Sequence, residues 1–380
     1  VTQLYGSVDE TIGIGIDAHI LQPGMGWLPY WKSSVYPYDK HVAWYKERYG
    51  RNQSSFGRYM LKGGDVVGEF VKRCKQKDMP AIISLRMNDR HQKNYVDFTK
   101  EQIAKYKIGE PSDMTVSSVY MSHPEYRLGD YYSVPPRGDM DLREYTEKYR
   151  NELRTNNIWN WAIQQVRQHK LDFITEICEN YDIDGFEMDF TRHPWLFKKE
   201  MPMDKRQEVM TGFVKQVREV LDETAKDGKY RWLSVRIPFR ISKMKEIGAD
   251  VKSWYDAGVD IFNLSCDYVT EQQHDLAKIH QAVPQAPLFI EVSQTPLRYQ
   301  PAEKSRLGGR TSSDLFMLTK PEQFYTTAHL AYSRGAKGIT AFNFVYYRSD
   351  SERMGGTVTE PPFEVFKIMQ DPELDRKSVV

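Results

Sequence analysis

From residue 160 onward, short β-rich runs alternate with amphipathic segments, and this alternation constrains the fold more than any other feature. Residues 161–181 place Ile163, Val166, Ile174, Ile177, Cys178 and Tyr181 near one helical face, and an apolar run at 183–190 follows at once. Residues 207–225 repeat the helical pattern with Met210, Phe213, Val214, Val217 and Leu221. Thr319-Lys-Pro-Glu322 reads as a capping box with an early proline, opening a helix that stops near Gly335. Upstream, residues 64–77 are amphipathic, and residues 11–20 alternate with Ile12, Ile14 and Ile16 on one face. Seven strands are expected, near 12–19, 81–88, 183–190, 232–239, 260–266, 288–293 and 339–346. Strands and helices at this pitch imply an α/β fold with a mainly parallel sheet.

An eighth strand closes such a sheet into a (β/α)8 TIM barrel. Residues 1–5 offer a short first strand; otherwise that strand is missing and lies upstream. An open doubly wound sheet is the competing arrangement, but no G-x-G-x-x-G turn follows any strand, so dinucleotide binding finds no support. Residues 21–60 and 90–157 break the alternation and are expected as long loop insertions on the C-terminal face, where barrel active sites lie. The chain is therefore expected to be a single barrel domain over residues 1–380.

Strand side chains alternate sides, so each strand divides into a helix-facing and a lumen-facing set. In Asp184-Gly-Phe-Glu-Met-Asp-Phe190 the apolar set is Phe186, Met188 and Phe190, which leaves Glu187 and Asp189 together in the lumen. Their Cα atoms are roughly 6–7 Å apart by strand rise. The same split directs Glu291 inward from its strand, with Ser84, Arg86 and Asn88 from the second and Ser234 and Arg236 from the fourth. Asn263, Ser265 and Asp267 belong to this inward set, as do Asp17 and His19 on the first strand; Asn343 sits among aromatics on the last. Arg192, His193 and Trp195 follow where the third strand gives way to its loop. A single such pair in a barrel is usually structural. Polar residues at the ends of several strands indicate a site.

Paired carboxyls across a bond suit glycoside hydrolysis, one as proton donor and one as nucleophile or base. Glu187 and Glu291, on non-neighbouring strands, fit those two parts, and Asp189 fits a supporting one. Asp17, His19, Arg86, Asn88, Arg192, His193, Arg236, Asn263, Asp267, Asn343 and Trp195 are the candidate substrate-binding residues. The cations Arg86, Arg192, His193, Arg236 and Arg240 suit either an anionic sugar, sulfated or uronic, or ion pairing with the acids. Aromatics make up 13% of the chain, and Trp27, Tyr30, Trp31, Tyr131, Tyr132, Trp195, Tyr346 and Tyr347 are candidate stacking surfaces.

The segments 160–167 and Tyr181-Asp-Ile-Asp-Gly-Phe-Glu-Met-Asp-Phe-Thr-Arg-His-Pro194 resemble the family-ten-like glycoside hydrolase barrels. The likeness extends through Ser84-Leu-Arg-Met-Asn-Asp89, Leu233-Ser-Val-Arg-Ile-Pro238, Phe262-Asn-Leu-Ser265 and Gly338-Ile-Thr-Ala-Phe-Asn-Phe344, and covers roughly residues 60–370. It implies a (β/α)8 glycosidase with its acid on strand four and its nucleophile on strand seven, the strands matched by Glu187 and Glu291. The Asn-Glu pair usual at strand four of that wider clan is absent, which leaves Glu187 and Asp189 both open as the acid. Gly185-Phe-Glu-Met-Asp-Phe-Thr-Arg-His193 also resembles the α-amylase-type strand, which implies Asp189 as nucleophile and Asp267 as a looser acid candidate.

The expected function is thus hydrolysis of a poly- or oligosaccharide. A non-catalytic carbohydrate-binding barrel is the second class. A metal-dependent enzyme using Asp17, His19, Glu187, Asp189 and His193 is the third, and it lacks an H-x-H strand. No cofactor or metal is implied. A formal charge of +1 gives no basic face for nucleic acid, and no run of about 18 apolar residues spans a membrane. Cys74, Cys178 and Cys266 read as small buried hydrophobes, without disulfide or zinc spacing. The chain opens at Val1 without a signal peptide, consistent with a processed, exported protein, periplasmic, cell-surface or extracellular. Oligomeric state is left open.

Overall fold

The computed structural model describes residues 1–106, 113–265, 274–294, 319–345 and 360–373. Seven parallel strands run in chain order across one sheet: β1 (His19–Leu21), β2 (Ala81–Arg86), β3 (Gly185–Asp189), β4 (Trp232–Pro238), β5 (Ile261–Ser265), β6 (Leu288–Ser293) and β7 (Gly338–Phe342). Each crossover carries at least one helix, as parallel neighbours require. Among the described residues there is no eighth strand and no pairing of β7 with β1.

Register decides which side chains meet. Ser84, Glu187 and Ser234 are direct partners across β2, β3 and β4, and two residues on, Arg86, Asp189 and Arg236 form the next row, which Asn263 of β5 extends. Side chains also meet across two strands, Gln22 just past β1 with Asp189 of β3 and Arg236 of β4 with Glu291 of β6. Strands in a flat sheet lie about 4.8 Å apart, so contacts across two of them need a concave inner face.

The other face of the sheet is the core. Phe186, Met188, Leu233, Val235, Phe262 and Leu264 are buried there against the helices Gln164–Asn180 and Met203–Glu223. Phe173, Ile177, Phe213 and Val217 are fully buried on those helices, each contributing roughly 1.5–3 kcal/mol relative to exposure. A second cluster joins Val292 of β6 to Phe324 and Ala328 of the helix Pro321–Ser333, and to Phe344 and Phe366. No helix among the described residues is long and apolar enough to cross a membrane.

The N-terminal expectations change. Residues 2–9 are helical, so residues 1–5 supply no strand. Residues 10–15 lie in turns, where Gly13 (φ 73°) and Gly15 (φ 94°) take up left-handed backbone that a strand does not use. β1 therefore begins only at His19, and the alternation of Ile12, Ile14 and Ile16 is not a strand face. The insertions are more ordered than their sequence suggests. The first contains the helices Tyr38–Tyr49 and Ser55–Leu61, and the second includes Leu142–Lys148 and Arg150–Asn156. The capping box of the helix Pro321–Ser333 is shifted by one residue. Gln323 Oε1 accepts the Lys320 N–H at 2.9 Å, while Thr319 donates its hydroxyl to the Ser293 carbonyl.

Candidate active site

Glu187, Asp189, Arg236, Asn263 and Glu291 converge on the concave face, all buried. Glu187 lies deepest in the register, its Oε1 accepting from Ser84 Oγ at 2.8 Å and its Oε2 from Ser234 Oγ at 3.1 Å. Neither donor is charged. Burial, reinforced by the neighbouring charge of Asp189, pushes the Glu187 carboxyl up to about 7.

The next row is ionic. Arg236 NH1 donates to both oxygens of Asp189 at 3.1 Å, while its Nε and NH2 grip Glu291 at 2.5 and 2.7 Å. Two carboxylates thus take opposite edges of one guanidinium, a geometry that lysine has no means of reproducing. The guanidinium lies 4.1 Å above the Phe342 ring centroid. Asp189 also accepts from Gln22 Nε2 at 2.7 Å, from the N–H and hydroxyl of Thr191 at 2.9 Å, and from the Arg192 N–H at 3.3 Å. Glu291 accepts from Ser265 Oγ at 2.5 Å, with Asn263 Nδ2 at 3.5 Å. Asn263 Oδ1 is in turn held by Thr340 at 2.7 Å.

Arg86 reaches neither glutamate. Its Nε donates to Gln22 Oε1 at 2.9 Å and its NH1 lies 3.4 Å from Asp89. Gln22 therefore links Arg86 to Asp189, a role invisible in a sequence where it opens an irregular loop. Within that loop, Gly26 (φ 79°) packs so closely that a Cβ there would stand 2.4 Å from the Arg86 carbonyl. The buried Lys170 ammonium bonds both the Gly26 and Arg86 carbonyls.

Several predicted binding residues prove to be scaffold. Asn88 donates to the carbonyls of Trp159 and Trp195 at 2.8 Å, tying two loops together. His19 faces the helix layer, its ring 5.6 Å from Phe70 and its Nε2 3.0 Å from the Ser7 carbonyl, because the later start of β1 reverses its side. Asp17 is exposed ahead of β1 and also leaves the site. Asn343 turns the chain just past β7 (φ 48°). Asp267, Tyr346 and Tyr347 lie outside the described residues, as does Cys266; Cys74 and Cys178 are buried and free.

Of the loop aromatics, Trp27, Tyr30 and Trp31 are buried in the core and offer no stacking surface. Trp195 is half-buried under the Arg90 guanidinium at 4.6 Å, and Tyr131 and Tyr132 are half-buried with Lys199 over both rings. His193 is buried beside Asp89 at 3.4 Å, and burial lowers its imidazole to about 4, so it is neutral.

No protein-family model matches the chain, and no curated protein matches it. Among solved structures it is similar to α-L-fucosidase isoenzyme 2 from Paenibacillus thiaminolyticus, at 10% identity and a TM-score of 0.49 over 97% of this chain and 45% of that one. It is also similar to a class V chitinase from Pseudomonas fluorescens (10% identity, TM-score 0.45, 96% and 95% covered). The catalytic domain of β-amylase from Paenibacillus polymyxa gives 8% identity and a TM-score of 0.47, with 96% and 93% covered. The chain spans less than half the length of the fucosidase. Likenesses of this depth leave family and activity to rest on the site itself.

Proposed function

We propose that this chain is a glycoside hydrolase in which Glu187 donates the proton and Glu291 is the ionised nucleophile or base. The contrast between these two glutamates carries the reading. Glu187 has only hydroxyl partners and is pushed up to about 7, whereas Glu291 is gripped through two nitrogens of Arg236. One carboxyl raised by burial and a second paired with a guanidinium give the contrast between donor and nucleophile that glycosidic cleavage uses. Asp189 supports them by holding the other edge of Arg236. On this reading the seven-stranded sheet is the described part of one (β/α)8 barrel of the family-ten-like kind over residues 1–380.

The substrate is an anionic poly- or oligosaccharide. Arg90 over Trp195, with Arg192 near enough for its charge to act on Arg90, supports this class, as cation and ring face together suit an acidic sugar.

The test is incubation with neutral, uronic and sulfated glycans, read by reducing-end release. Wild-type protein is expected to release product, and Glu187→Gln and Glu291→Gln each to lower turnover by several orders of magnitude. Near-normal turnover in either variant removes that residue from its role. Sugar binding with no release by the wild type indicates a non-catalytic binding barrel instead. A second assignment, with Asp189 attacking, draws support from its four further donors besides Arg236. Mass spectrometry of an adduct trapped in Glu187→Gln separates Asp189 from Glu291.

A further inference from the structure

We propose that Asp89, His91 and His193 form a binding site for one divalent transition-metal ion of the zinc class. The proposal does not rest on the glycosidase reading. Each residue offers one donor atom, and the three donor atoms all lie within 4.8 Å of one another. Asp89 and His91 follow β2 directly and His193 follows β3, so the paired ends of two strands bring the three together.

Donor spacing fits an ion with little movement. Metal–ligand distances near 2.1 Å in a tetrahedron put donor atoms roughly 3.4 Å apart. Asp89 Oδ2 and His193 Nδ1 already stand 3.4 Å apart. His91 Nδ1 is 2.6 Å from the same oxygen, a hydrogen-bond spacing that opens by less than about 1 Å when an ion replaces the shared proton. The Arg90 N–H donates to His193 Nδ1 across a long 3.3 Å, so that nitrogen carries a lone pair, which an ion must take over from this weak hydrogen bond. His91 is half-buried, which gives an ion a route from solvent.

Two imidazoles and one carboxylate favour zinc, cobalt or nickel over magnesium or calcium, which prefer all-oxygen sets. Three protein donors leave a fourth position for water or an anionic oxygen. Arg86, 3.4 Å from Asp89, opposes the cation but favours an anion in that fourth position. The sequence signal was Asp89-Arg-His91 with a single distant histidine, a spacing that matches no common metal motif.

The test uses the full chain after chelator treatment, with Zn²⁺ titrated calorimetrically and Co²⁺ as a visible-spectrum probe. One equivalent is expected to bind and raise the melting temperature. His91→Gln and His193→Gln are expected to weaken Zn²⁺ binding by more than the roughly 10–100-fold that changes around a ligand set cost. X-ray absorption at the zinc edge of the wild-type complex, independent of any variant's folding, is expected to report two imidazoles. Absence of binding at tenfold excess, an edge spectrum without imidazole, or unchanged affinity in both variants would overturn the site.

Discussion

Gln22 donates its side-chain amide to Asp189 Oδ2 at 2.7 Å, joining residues 167 positions apart. Its own carbonyl oxygen accepts from Arg86 at 2.9 Å, so one neutral side chain orders an arginine and a carboxylate on neighbouring strands. Gln22→Ala is expected to cost about 1.5–3 kcal/mol, the range for a hydrogen bond to a charged group. Gln22→Glu is expected to be worse, since it sets a second carboxylate against Asp189. Denaturant melts at pH 8 check this order. A glutamate variant as stable as the wild type would mean that the two residues do not meet.

Glu187 makes stability and turnover depend on pH in a defined direction. Its carboxyl is raised from an ordinary value near 4.5 to about 7, so within that window the folded chain holds a proton the unfolded chain has lost. Stability therefore falls as pH rises from 4.5 to 7 and levels off above. Glu187→Gln removes this dependence while its amide can still bond the two serines. The variant is expected to gain on the wild type by up to about 3 kcal/mol between pH 4.5 and 8. Paired melts across that range measure it, and a constant difference would show an ordinary carboxyl. As the proton donor, Glu187 also predicts wild-type turnover that falls as pH rises through 7.

Glu176 of the helix Gln164–Asn180 fastens the loop that follows β1. Its carboxylate accepts from Trp31 Nε1 at 2.8 Å, from the N–H and hydroxyl of Ser34 at 2.5 and 2.8 Å, and from the Val35 N–H at 3.2 Å. Glu176→Ala leaves the buried Trp31 indole N–H unsatisfied, at roughly 1–3 kcal/mol, while the exposed Ser34 donors turn to water. Faster amide exchange confined to residues 31–35 and a lower melting temperature are expected. Unchanged exchange there would leave the loop held by packing alone.

The inward set of β2 to β6 was legible because those strands are uninterrupted and strictly alternating, as in Leu288-Phe-Ile-Glu-Val-Ser293. Pairwise register was not legible, since alternation fixes a side and not a partner. Arg236 was thus a plausible partner for Glu187 or Glu291, and the fold gives it Glu291 and Asp189. His19 was misplaced because Gly13 and Gly15 turn the chain before β1 begins. Trp27, Tyr30 and Trp31 looked like loop aromatics, yet Trp27 packs at 5.3 Å on Trp159 and Trp31 edge-on to Phe173. Irregular backbone around a tryptophan says nothing about whether a helix lies beneath it.

Arg236 is the residue whose loss the site tolerates least. It is buried with Asp189 on one edge and Glu291 on the other, so Arg236→Met removes the counter-charge of two buried carboxylates at once. Breaking a buried pair from one side costs roughly 3–5 kcal/mol, and a loss at or above that range is expected here. Arg236→Lys keeps the charge without the fork and is expected to recover only part of it. Glu291→Gln should cost less than Arg236→Met, because the arginine keeps Asp189 and the serine and asparagine partners suit an amide. Chemical denaturation of the three variants tests the order Arg236→Met, then Arg236→Lys, then Glu291→Gln. If Arg236→Met is as stable as the wild type, the two carboxylates do not share this guanidinium in solution.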